Sequence, residues 1–137
     1  MSTKEVTRIL FIDDDETSFQ FRKCMVQVLQ QIPPVELFHA QDATEGLSLL
    51  EKIKPNVVVL DENLCEECDL FLDSLSKNHP PIVMQTENRK NKSKHSFRQY
   101  HDISYIKKNE SLAGIHETLM VVTDIAHRRI QTSEKLN

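Results

Sequence analysis

Residues 57–61 read Val-Val-Val-Leu-Asp. Four apolar side chains in unbroken succession, three of them β-branched, suit a strand covered on both faces. Such a strand belongs inside a parallel sheet. Its last residue, Asp61, poses a question: a carboxylate at a buried tip loses water on one side and needs a partner to offset that loss.

The rest of the chain repeats the arrangement. RILFI (8–12) reads as a buried strand, and residues 16–31 follow with Phe21, Cys24, Met25, Val28 and Ile32 at helical spacing up to Pro33-Pro34. VELFH (35–39) is the next strand, and Asp42 caps a helix carrying Ala43, Leu47 and Leu50 on one face. Lys54-Pro55-Asn56 breaks that helix before NVVVL. A short helix is expected over 69–77 with Leu70, Leu72 and Leu75 apolar, then strands at IVMQ (82–85) and DISYIK (102–107). Ser111 caps a last helix that buries Leu112, Ile115, Leu119, Val122 and Ala126, with Glu110 beside the positive end of its dipole. Residues 87–102 carry only Phe97 and Tyr100 as large anchors for a fourth helix. Strand and helix alternating five times imply an α/β fold, a doubly wound parallel sheet with helices on both faces. A domain over 1–130 and a frayed tail over 131–137 follow.

In open α/β sheets, ligands bind beyond the carboxyl ends of the strands. Strand one ends in Asp13-Asp14-Asp15, strand three in Asp61, strand four in Thr86 and strand five in Lys107-Lys108. If strands one and three are neighbours, their acids share one crevice. Two unit charges ~4 Å apart cost about 4 kcal/mol at an effective dielectric near 20, so a cation, a lysine or raised pKa values must offset them. Oxygen-only donors suit Mg²⁺, which takes one or two carboxylates together with waters and phosphate oxygens. Lys108 supplies a monovalent charge and Thr86 a hydroxyl.

Composition narrows the classes of function. The chain has 137 residues and a net charge of −4, which argues against a dedicated nucleic-acid binder. No apolar run approaches the ~20 residues of a membrane span, and the first ten residues lack the apolar core of a signal peptide. Three cysteines suit a reducing compartment, and the expected location is cytoplasmic.

ILFIDDD, VVVLDENL, PIVMQT and SYIKKN, in this order and on these strands, resemble the receiver domain of bacterial response regulators over essentially the whole chain. The resemblance implies a five-stranded, CheY-like (flavodoxin-like) sheet of order 2-1-3-4-5. It implies a role in two-component phosphorelay signalling, with Asp61 accepting a phosphoryl group. Asp14 would ligate Mg²⁺ directly, Asp13 partly through water, and Asn63 through its backbone carbonyl. Thr86 would bind a phosphoryl oxygen, Lys108 would pair with the acceptor, and Tyr105 would be the aromatic that reports the state of Thr86. Such a domain supports its own phosphorylation and dephosphorylation without being an enzyme in the ordinary sense. Its implied partners are a sensor histidine kinase or phosphotransfer protein, and a downstream protein or second copy at the face of the fourth helix, fifth strand and fifth helix.

The chain departs from that family in places. The acceptor loop runs Leu64-Cys65-Glu66-Glu67-Cys68-Asp69 without the usual proline and glycines, Glu87 follows Thr86, and Asn109 replaces a frequent proline. These changes keep a second reading open, a pseudo-receiver that retains the fold as a binding module without useful phosphorylation. A third reading is a haloacid-dehalogenase-type phosphatase, because Asp13-Asp14-Asp15-Glu16-Thr17 fits its D-x-D-x-T motif. Asp13 would then be the nucleophile, but the expected later acidic pair is absent and Asp61 has no role. A single Cys65/Cys68 pair is too little for a structural zinc site, and surface cysteines are expected. Arg89, Lys90, Lys92, Lys94 and Arg98 form a basic cluster that reads as a solvated face or as a docking surface for an acidic partner.

Overall fold

The structure, a computed structural model, describes residues 6–28, 34–86, 103–108 and 111–136. The expectations for Ile32, Pro33, Glu87, the basic cluster, Phe97, Tyr100, Asn109 and Glu110 fall outside the described residues, as do the side chains of Cys65 and Leu112. The elements run β1 (Thr7–Ile12), α1 (Glu16–Val28), β2 (Val35–Ala40), α2 (Ala43–Ile53), β3 (Val57–Asp61), α3 (Cys65–Asp73), β4 (Ile82–Thr86), β5 (Ile103–Lys107) and α4 (Leu112–Leu136). The five strands form one sheet in the order β2-β1-β3-β4-β5, and every adjacent pair is parallel.

Alternation along the strands divides the core in two. Leu10, Ile12, Val58, Leu60, Ile82 and Met84 face α2 and α3, where Ala43, Cys68, Phe71 and Leu72 close the layer. Ile9, Phe11, Val57, Val59 and Val83 face the other way, against Phe19 of α1 and Ile115, Leu119, Val122 and Ala126 of α4. The helices cover both faces because each strand in the middle of the sheet is apolar on both, as Val57–Leu60 required.

Three elements differ from the sequence reading. In α1 the buried face is turned: Phe19 is buried, whereas Phe21 is 44% exposed and Cys24 is exposed. The buried face includes the charged Arg22, 4% exposed, so an apolar stripe drawn through the helix misses it. α3 begins at Cys65 rather than 69, with Glu66 and Glu67 in its first turn, where the dipole favours acids. The glycine-free loop after β3 passes into the helix, and Leu70 faces outward at 59% exposure while Phe71 takes the core position. α4 continues to Leu136 through the stretch expected as tail. No proline or glycine lies between Gln131 and Lys135 to stop it.

Caps fix the loops around the site. Asp42 accepts a hydrogen bond from the Glu45 amide at 2.8 Å, and Ser111 Oγ accepts one from the Gly114 amide at 3.0 Å. Glu67 reaches from α3 to accept from the Ala43 amide at 2.8 Å, tying the start of α2 to the first turn of α3. Among the described residues, no helix is long and apolar enough to cross a membrane.

Candidate functional site

Every strand terminus of interest opens onto one rim. β1 and β3 are neighbours, with Ile12 opposite Leu60, so Asp13 and Asp61 leave adjacent strands at the same level. The ladder continues past the strand ends: the Asp13 amide donates to Ala40 at 3.0 Å, Glu62 to Gln85 at 3.0 Å, and Lys108 to Thr86 at 2.7 Å. These bonds hold the loop residues as firmly as strand residues. The register that sets Thr86 opposite Lys107 brings Lys108 to the rim.

Lys108 Nζ lies 3.0 Å from Asp61 Oδ2, with side chains 11% and 5% exposed. The other carboxylate oxygen accepts the Asn63 amide at 3.0 Å. Asp61 is therefore paired, which answers the need for an offset at the tip of β3. Its backbone carbonyl accepts the Leu64 amide at 3.0 Å and the Cys68 thiol at 3.2 Å. Cys68 is 2% exposed, so it is a core residue bracing the loop after β3 rather than the surface cysteine expected from sequence. Thr86 Oγ1 donates a long 3.4 Å bond to the Ile106 carbonyl. Tyr105 is 53% exposed; burial of part of its ring and then the charge of Glu62 raise its phenol above the ordinary value.

The acids after β1 have three different environments. Asp15 caps α1, accepting the Ser18 amide at 3.0 Å and the Ser18 hydroxyl at 2.7 Å, and these bonds lower its carboxyl below the ordinary value. Asp14 is exposed at the rim. Asp13 is 2% exposed and enclosed: Oδ2 lies 3.2 Å from Arg22 Nη1, while Oδ1 lies 2.9 Å from His39 Nε2 and accepts the Asp15 amide at 3.1 Å. Nε2 faces only acceptors here, the carboxylate and the Asp13 carbonyl at 3.0 Å, so it carries the proton. The His39 ring stacks on Phe19 at 4.7 Å, and the Arg22 guanidinium sits 4.8 Å over the Phe11 ring.

Arg22 and His39 were missed by the sequence reading. A signal existed for Arg22: three successive aspartates demand a cation, and Arg22 is the first basic residue of the helix that follows. His39 had none until β2 and β1 paired with Phe11 opposite His39.

Among the described residues, no group of three or more His, Cys, Asp or Glu side chains is placed to hold a metal. Mg²⁺ needs fewer: one or two carboxylates with waters and phosphate oxygens. Asp14, Asp61 and the Asn63 carbonyl are hard oxygen donors on loops leaving adjacent strands, and they fit that requirement. Asp61 has one donor on each oxygen, whereas Asp13 has three donors, one of them a buried guanidinium, and fits that requirement less well.

The topology and layering are those of response-regulator receiver domains. The chain superposes on the chemotaxis response regulator CheY4 of Vibrio cholerae with a TM-score of 0.67 and 20% identity, covering 86% of this chain and 99% of that one. A CheY-like receiver domain from Methanospirillum hungatei JF-1 gives 0.64 and 19%, covering 88% and 98%. One from Methylobacillus flagellatus gives 0.60 and 15%, covering 86% and 99%. In sequence, the chain is 23% identical over 133 residues to a protein-glutamate methylesterase/protein-glutamine glutaminase of Geobacter sulfurreducens. The match covers 95% of this chain and 34% of that protein, so the chain spans about a third of its length. No protein-family model matches the chain.

Proposed function

We propose that the chain is a phospho-accepting receiver in two-component signalling, with Asp61 as the acceptor. The observation that carries this reading is the 3.0 Å Lys108–Asp61 ion pair at the rim where the acids after β1 also emerge. A carboxylate is a competent nucleophile toward phosphoryl groups, and the loose transition state needs position and charge more than covalent help. An oxygen of Asp61 forms a bond to phosphorus as the bond from phosphorus to the donor atom breaks. The electron pair leaves with the donor atom, any proton that atom then needs comes from solvent, and a mixed anhydride remains. Mg²⁺, held by Asp14, Asp61 and the Asn63 carbonyl, would neutralise charge on the phosphoryl oxygens. Lys108 follows the new oxygens as a mobile point charge, and Thr86 turns its hydroxyl from the long Ile106 contact toward them. The half-exposed Tyr105 of β5 would be the side chain that responds.

A sensor histidine kinase or phosphotransfer protein supplies the phosphoryl group in this reading, and a protein partner or a second copy reads the state at the β5–α4 side. Burial of Asp13 against Arg22 and His39 opposes the phosphatase alternative, in which Asp13 is the nucleophile. Incubation with acetyl phosphate and Mg²⁺ followed by intact mass tests the proposal. The expected result is a gain of one phosphoryl group that Asp61→Asn abolishes. An unchanged mass for the folded protein favours the pseudo-receiver.

A further inference from the structure

The acidic end of the site already contains a cation. Arg22 and Asp13 form a pair whose side chains are 5% and 3% exposed. Arg22 is not a surface side chain that happens to reach a carboxylate. Its guanidinium lies over Phe11, in a small recess also lined by Gln85, Ile115, Thr118 and Leu119. Asp13 Oδ1 meanwhile accepts two donors, the His39 ring and the Asp15 amide. A carboxylate offers about four acceptor sites, and three are filled, two on Oδ1 and one on Oδ2 by the guanidinium. Lys108 differs: its charge ends a flexible stem at the rim and can yield to an incoming group.

We propose that Arg22 is a resident counter-cation that takes Asp13 out of the divalent-metal site. Resting on the receiver reading above, this leaves the metal to Asp14, Asp61 and the Asn63 carbonyl, and makes Arg22 the residue that sets how weakly the resting protein holds Mg²⁺. Arg22 acts on the metal through Asp13 and through its own charge, and is therefore a positioning residue. A planar guanidinium against an aromatic face holds such a place better than an ammonium would.

Calorimetric titration of the unphosphorylated full chain with Mg²⁺ tests this. Arg22→Gln keeps a donor for Asp13 but removes the charge, and it should bind Mg²⁺ at least about tenfold more tightly than the wild type. An unchanged or weaker affinity in the folded variant overturns the proposal. A second measurement needs no variant: ¹⁵N NMR of the Arg22 guanidinium in the wild-type protein. Hindered rotation and slow exchange that persist at saturating Mg²⁺ support a resident cation, whereas release of the guanidinium on adding Mg²⁺ overturns it. Phosphoryl uptake on Asp61 is read separately by mass, so failure here is distinguishable from failure of the acceptor assignment.

Discussion

At the residue scale, Asp61 and Asp13 show two ways to keep a buried carboxylate. Asp61 is 4% exposed and meets a lysine at the rim; Asp13 is 2% exposed and meets an arginine and a histidine from inside. Removing one member of a buried pair leaves the other charge without compensation. Lys108→Gln should therefore lower the unfolding free energy in urea by about 3 kcal/mol, and the double variant with Asp61→Asn should recover most of it. Equal losses in the single and double variants would contradict a direct pair. The rim positions of Asp61, Thr86 and Lys108 were legible in sequence, because each ends or follows an apolar run that fixes its level. The clamp on Asp13 was not. A buried charge is recognised by its partner, and the partners of Asp13 come from a helix face that reads as polar and from the penultimate residue of another strand.

At the element scale, close approach and capping set where the helices lie. Gly46 lets α2 settle onto β1: a Cβ there would stand 2.5 Å from Ile12 Cδ1 and 3.2 Å from Cγ1. Ile12 is 2% exposed, which restricts its escape. Gly46→Ala should cost about 1–3 kcal/mol in chemical denaturation, despite alanine's better helix propensity; a stabilised variant would show that Ile12 yields freely. Lys54 ends α2 with φ 48°, the one positive φ among the described non-glycine residues, directly before Pro55. Lys54→Gly should raise stability by about 1 kcal/mol, read as a higher melting temperature, and a loss would mean that the lysine side chain outweighs its backbone strain. Element order and type followed from apolar runs and breakers, but helix phase did not. Phe19 and Phe21 are equally apolar; the face that turns inward carries Phe19 against Phe11 and His39 together with Arg22 against Asp13. The start of α3 was hidden for a related reason: its first turn is acidic and polar, stabilised by the helix dipole and by the Glu67 bond to Ala43 rather than by an apolar pattern.

At the scale of the whole molecule, the order β2-β1-β3-β4-β5 is what turns scattered residues into a site. It sets β1 beside β3 and places β5 two strands away, so a residue after β5 reaches Asp61 across β4. The parallel, doubly covered sheet was legible from Val57–Leu60 and the regular alternation. The strand order came only from resemblance, since periodicity carries no information about which strands are neighbours. Of the face expected to meet partners, the described residues comprise β5 and α4. The chemistry of the proposed function rests on a single carboxylate. Borohydride reduction after treatment with acetyl phosphate and Mg²⁺ converts an aspartyl phosphate to homoserine, which peptide mapping locates. Homoserine at position 61 is the expected result; homoserine at position 13 or 14, with Asp61 intact, would contradict the account.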